Sequence, residues 1–581
     1  MKPHRICTMV AALALLTGCF TKQPPTGRAV APPVQPLTVT SCAAPVTADT
    51  AWYASGQKAP LLPGLTGITM AISSPRPEAV AYFRQGLMLA YGFNHAEAAR
   101  SFHEATRQDS TCAMGYWGFA YVLGPNYNAG MEADNFVRAY RAVRQAQRLA
   151  PRATPREQAL IAALARRYPP TPVPDRSAYD RAYAAAMGGV YRQFPDDPDV
   201  GALYAEALMD LHPWDIWQKN GQPQPWTAEI ISTLEQALRR SSQHAGANHF
   251  YIHATEASAH PEAANASAQR LTRLVPGAGH LLHMPSHTYI RTGAYHQGTL
   301  ANQRALQADS TYTAACHAQG AYPLAYHPHN YHFLTATATL EGASRLALQG
   351  AAKLAGHVSK PLMKDPVLGP SLQHFYTIPY NVAVKFGRWD QVLAMTNFDT
   401  TLVYPEAIRH YARGMAWAGK QNLEPARREL AQLRRLARDT AALKGILFGI
   451  NPMRAILEIA QRELAGAILY REGRYPQSIA VLREAVALED QLKYNEPPDW
   501  FFSVRHQLGP VLLAAQRYQD AIDVYEQDLA RLPHNGWALS GLYQAQRAAG
   551  QVAQAQHTKR ALDAAWQWAD TKLVASVVQP Q

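Results

Sequence analysis

The sequence predicts an all-α fold, and three observations carry that expectation. Alanine-rich segments with helical apolar spacing alternate with short Gly, Pro or Asp breaks, and no alternating apolar and polar run of useful strand length occurs. The third is a repeat: in a 34-residue frame counted from residue 79, Gly86 falls at position 8, Ala98 at 20, Phe102 at 24 and Ala105 at 27. Small residues at those places let two helices approach closely, and an aromatic ring fills the space between them.

The frame recurs along the chain. From 111, Trp117 stands at 7, Gly118 at 8 and Tyr121 at 11; from 245, Ala264 stands at 20 and Pro276 at 32. From 279, Tyr289 is at 11, Gly293 at 15, Tyr295 at 17 and Ala305 at 27. Gly466 and Ala485 fit a frame from 459, Gly509 and Ala521 one from 502, and Gly541 and Ala553 one from 534. In this register the chain resembles the tetratricopeptide repeat family over most of residues 77 to 568. That resemblance implies a solenoid of helical hairpins with loop insertions, in which the first helix of each hairpin lines a concave groove. Three segments exceed a repeat turn: residues 211 to 226 with Trp214, Trp217 and Trp226, residues 322 to 328, and residues 494 to 500. Long loops in a compact array often line a functional face.

At the N-terminus Lys2 and Arg5 precede an apolar run from Met9 to Leu16, which ends in Leu16, Thr17, Gly18 and Cys19. A basic start and an apolar stretch too short to span a bilayer describe an export signal. The last four residues resemble the lipobox of bacterial lipoproteins, which implies cleavage before Cys19 and lipidation of its thiol. Phe20 in place of an aspartate implies the outer membrane, with the body facing the periplasm or the surface. No other window offers 18 uninterrupted apolar residues. The expected organisation is a signal peptide over 1–18, a lipidated cysteine and Pro-rich tether over 19–76, an N-terminal repeat array over 77–345 that holds a His-rich groove, and a C-terminal array over 346–581. Cys42, Cys112 and Cys316 would remain in an oxidising compartment, which permits one disulfide and one free thiol without choosing the pair.

The formal charge of +12 is scattered over many helices, with a richer patch over Arg427 to Arg438. No nucleic-acid motif accompanies it, so a solvated basic surface is expected, contact with anionic envelope components is its sharper form, and nucleic acid is not an expected partner. Walker loops, dinucleotide fingerprints and CxxC pairs are absent from the sequence.

Function is read from the histidines. Between His244 and His332 lie 12 of the 22. His249, His253 and Glu256 are spaced i, i+4, i+7, and His280, His283 and His287 are spaced i, i+3, i+7, so each set shares one face of a helix. Pro285 removes one hydrogen bond within the second set and threatens a kink. In the repeat register these donors take positions 5, 9 and 12 of the frame from 245 and 2, 5 and 9 of the frame from 279, which the resemblance to tetratricopeptide repeats turns into the groove. Glu206 and Asp210, at 9 and 13 of a frame from 198, and His317, at 5 of a frame from 313, are neighbours in that reading. His329 and His332, spaced i, i+3, open a further helix.

Imidazole with carboxylate suits copper, zinc, iron or nickel far better than calcium or magnesium. The metal donors expected are His249, His253, Glu256, His280, His283, His287, His329 and His332, more than one ion needs, so a pair of ions is expected. Glu256 serves either as ligand or as the general base that activates a bound water. Type 3 copper and di-iron carboxylate sites offer an analogy of donor type only. Ser286, between His283 and His287, is read as a packing residue at position 8, and Asn94, His95 and the Leu123 to Asn126 turn as inter-helix geometry. The stretch Gly279, His280, His283, Met284, Pro285, Ser286, His287 is similar to one in bacterial tetratricopeptide proteins, a likeness that implies no activity. The expectation is therefore a lipid-anchored envelope protein with a transition-metal site, acting on a small-molecule or peptide substrate by oxidation or hydrolysis. Its alternative is a non-catalytic scaffold that holds an envelope protein.

Overall fold

The computed structural model describes residues 50–132, 134–316 and 322–578, so Cys19, the signal segment, Cys42 and His317 lie outside the described residues. The described residues are almost wholly helical. Successive helices pair as hairpins, from Pro77–Tyr91 with His95–Gln108 to Gly536–Ala548 with Val552–Ala565. Two short ladders, Ile446–Leu447 with Asn451–Pro452 and Leu573–Val574 with Val577–Val578, are the β-structure longer than an isolated bridge among the described residues.

The 34-residue register is a packing rule. Gly86 and Gly118 both lie against the Phe102 ring, so that a Cβ on either would collide with it. Gly509 and Gly541 enclose Tyr525 in the same way, and Gly466 faces Leu482. Each pairing joins position 8 of a first helix to position 24 of a second helix. Phe102 and Tyr525 have no exposed surface. Ala98, Ala105, Ala264, Ala485 and Ala521 are fully buried where helices touch, whereas Ala553, on the last long helix, is exposed because no hairpin follows it.

Local signals start several helices. Thr154 and Glu157 form a capping box at Pro155–Leu164, and Asp197 and Asn535 accept from the third backbone N–H beyond them. His244 caps Ala245–Thr255 through Nδ1 and donates from Nε2 to Asp199, 3.0 Å away.

The frame from 313 is not kept. Tyr295–Ala315 is a single helix of 21 residues, and the next hairpin opens at His327–Leu340 after a π-helical turn over Tyr322–Tyr326. The extra turns of helix push the following first helix beyond the place the 34-residue count assigns it. Residues 55–76, which the sequence assigned to a tether, lie on the first hairpins: Ala59, Leu65 and Met70 are buried, and the Leu62 amide donates to Gln85 Oε1. Helix Ser344–His357 runs across residue 345, where the sequence placed a division. Cys112 and Cys316 carry free thiols and so are not joined to each other. No helix among the described residues is long and apolar enough to cross a membrane.

Replacing Gly509 by alanine should cost about 1–3 kcal/mol in a urea titration, because Tyr525 has nowhere to move. Gly356→Ala, on an exposed stretch of helix with nothing within 4 Å, should be neutral or stabilising by up to about 1 kcal/mol.

Candidate metal centre

Four helices from three hairpins supply the imidazoles. His249 and His253 stand on Ala245–Thr255, His280 and His283 on Gly279–His283, His287 on Pro285–Thr292 and His329 on His327–Leu340. Pro285 interrupts the hydrogen-bond ladder, but Met284 keeps φ −51° and ψ −36°, so the helical register passes through and His287 stays on the face of His283.

The rings form two triads. Ligand nitrogens of His249, His253 and His280 lie within 4.8 Å of one another, and so do those of His283, His287 and His329. The triads adjoin: ring centroids of His253 and His287 are 5.5 Å apart and those of His280 and His283 are 5.7 Å apart. Five of the six are fully buried, and His329 is half-buried. Burial, reinforced by the neighbouring imidazoles, holds His249, His280, His283 and His329 well below the ordinary imidazole range.

Hydrogen bonds assign the tautomers. His249 Nδ1 donates to the Tyr91 carbonyl at 2.6 Å and His253 Nδ1 to Glu256 Oε1 at 2.8 Å. His283 Nδ1 donates to Asn302 Oδ1 at 2.7 Å, and the Asn302 amide is oriented by its own donation to the Gly298 carbonyl. His287 Nδ1 donates to Glu256 Oε2. In the neutral form of each ring Nε2 is therefore a lone-pair donor. The Nε2 atoms of His249 and His253, and both nitrogens of His280, are buried with no hydrogen-bond partner. His283 Nε2 and His287 Nε2 face each other at 2.9 Å, lone pair toward lone pair. Such facing acceptors repel unless a proton or a cation sits between them. An Nδ1–H held by a carboxylate or carbonyl with Nε2 left free is the arrangement of metal-binding histidine.

Glu256 bridges the two triads. Each of its oxygens accepts from one triad, Oε1 from His253 and Oε2 from His287, and Tyr494 Oη approaches Oε2 at 3.5 Å. Burial opposes its charge, but His287 and His253 outweigh burial and hold the carboxyl far below the ordinary carboxylate range. A carboxylate so engaged fixes the orientation of both rings, and it is a poor base. His332 departs: three residues beyond His329, it turns to the other side and stacks on Phe501 at 5.0 Å, with His374 beyond. Glu206 is engaged by Tyr121 and Asp210 by Arg167, outside both triads. Ser286 is buried 3.3 Å from His283 Nδ1, on the side away from the free Nε2.

Several partners were not legible in the sequence. Phe93 packs on all three rings of the first triad, with centroids at 4.6, 6.0 and 5.7 Å, and Phe333 on all three of the second, at 4.7, 4.3 and 5.0 Å. Phe333 lies one turn after His329, a spacing the sequence displays. Phe93 sits at φ +55° in the turn between Gly92 and Asn94, and nothing in the sequence announced that its ring would cover a histidine triad. The three long loops do converge here. Trp214 sets its edge on His253 and Trp217 Nε1 donates to the Ala254 carbonyl, Tyr326 packs on His280, and Tyr494 reaches Glu256.

No family model matches the chain, and no curated protein matches it. Among solved structures it is similar to the human IFIT1 dimer with m7Gppp-AAAA at 13% identity, over 85% of this chain and 91% of that one, with a TM-score of 0.30. It is similar also to yeast Tom70 at 10% identity, over 82% and 90%, with a TM-score of 0.26. Likeness at this level says nothing of what this chain binds.

Glu256→Gln leaves one of two buried imidazole N–H groups facing an amide donor. In chelator-treated protein the change should cost about 3 kcal/mol by urea denaturation; a loss below about 0.5 kcal/mol would show that the carboxylate does not tie the triads together.

Proposed function

We propose that this helical-repeat scaffold holds two transition-metal ions side by side, one on the Nε2 atoms of His249, His253 and His280 and one on those of His283, His287 and His329. The observation that carries the reading is the pair of facing lone pairs on His283 and His287, 2.9 Å apart, with both Nδ1 protons already committed. A shared proton is the competing occupant of that gap. It leaves unexplained the three further imidazoles, His249, His253 and His280, whose buried Nε2 atoms have no partner, each a desolvation cost of about 1–3 kcal/mol.

The donor set favours copper. Six imidazoles without a carboxylate in reach of the ions suit copper and zinc better than iron, and affinity for copper exceeds that for its neighbours. A bound copper pair would supply one-electron and dioxygen chemistry, which makes oxidation the reaction class and hydrolysis by zinc the lesser form. The residues of the chain divide the remaining work. Glu256, Asn302 and the Tyr91 carbonyl hold the tautomers, Phe93 and Phe333 keep the rings dry, and half-buried His329 marks the side from which a small substrate enters. The lipid anchor at Cys19 and an outer-membrane location belong to the same proposal and rest on the N-terminal motif alone.

Protein purified without an affinity tag should contain about two metal ions per chain. His280→Ala should remove one and His329→Ala the other, with circular dichroism unchanged. Content below about 0.3 equivalents that neither substitution alters would overturn the proposal and leave a scaffold for an envelope partner.

A further inference from the structure

A second constellation lies in the C-terminal half and has no part in the metal centre. Lys385, the last residue of Gly369–Lys385, places Nζ 2.8 Å from Nδ1 of His506 on Arg505–Ala514. His506 Nε2 lies 2.9 Å from Asp528 Oδ2 on Tyr518–Arg531, and Asn535 Nδ2 donates to the same oxygen at 3.0 Å. The carboxylate accepts a hydrogen bond from Nε2–H, so Nδ1 is an acceptor turned toward the amine. Lys385 has no carboxylate within ion-pair distance among the described residues, and its Nζ sits 3.9 Å over the Trp537 ring. Amine, base and orienting acid thus follow one another in hydrogen-bond contact, the order an activated nucleophile requires.

Lys385 and His506 line a small cavity of about 30 Å³ with Tyr411, Glu463, Trp500 and Phe501. Burial draws the Lys385 amine down to about 7, against the pull of Asp528 and Glu463. Burial, with Glu489 nearby, pushes the Glu463 carboxyl up to about 8. Near neutral pH the cavity therefore offers an amine that gives up its proton readily and a carboxylic acid that still has one to give. The enclosed space admits roughly two water-sized groups. That suits the carbonyl end of a small compound whose remainder lies toward half-exposed Asn381, Ser503 and Gln507.

We propose that Lys385 is a nucleophile that condenses with small aldehydes. The Lys385 ammonium passes a proton to His506 Nδ1, and the imidazolium is held by Asp528. The free amine forms a C–N bond to the carbonyl carbon while the carbonyl oxygen takes a proton from Glu463. Nζ returns a proton to the Glu463 carboxylate, which gives it to the hydroxyl as that oxygen leaves as water. The last Nζ proton goes back to Glu463 and the His506 imidazolium releases its proton to solvent, so one amine and one aldehyde give one imine and one water, with no redox change.

Full-length protein treated with propanal and cyanoborohydride, followed by peptide mass mapping, tests this. Lys385 should be alkylated about 100-fold faster than exposed Lys444, and His506→Gln should slow Lys385 by a similar factor while Lys444 is unchanged. Glu463→Gln should also slow Lys385. Labelling of Lys385 no faster than Lys444 in the wild-type protein, or a rate at Lys385 indifferent to His506→Gln, would overturn the proposal. The wild-type comparison stands even if a variant fails to fold, and neither result depends on metal.

Discussion

A single buried carboxylate ties the two imidazole triads together. Glu256 accepts from His253 with one oxygen and from His287 with the other, and thereby joins the hairpin that begins at Ala245 to the one that begins at Gly279. An isolated charge in such surroundings is prohibitively costly, and it persists because two N–H donors stabilise the ionised form. The same bonds compel both rings to present Nε2 to the interior. Ring orientation in two separate hairpins is thus decided by one side chain.

The aromatic shell acts on the same problem from outside. Phe93 and Phe333 each cover one triad, while Trp214, Tyr326 and Tyr494 arrive from the three long loops. A repeat array has short turns by default, so its loops lengthen where something must be covered. Exclusion of water strengthens each Nδ1–H contact and raises the cost of every unpartnered Nε2.

Not every histidine of the rich stretch joins a triad. His244 is a helix cap, His296 pairs with Glu341 and stacks on Trp568, and His332 faces Phe501. What separates these from the six is the fate of the second nitrogen and the company of other rings. The Lys385, His506 and Asp528 relay shows the complementary case: residues far apart in the chain and ordinary one by one, which the stacking of hairpins brings into contact.

Helical periodicity is a local property, and whatever depends on it is legible in the order of residues alone. The all-α class, the glycine and aromatic register and the shared faces of His249 with His253 and of His283 with His287 follow from spacing. The count of 34 failed after Tyr295, because a helix that runs on for extra turns leaves no mark in composition, and His329 stands where His317 had been expected. Whether Glu256 stands alone or accepts from two imidazoles depends on which hairpin its second oxygen meets. Whether His332 joins His329 depends on how far the helix has turned toward Phe501. Those are distances between segments remote in sequence, settled by how side chains of different hairpins interlock, and only the tertiary structure decides them.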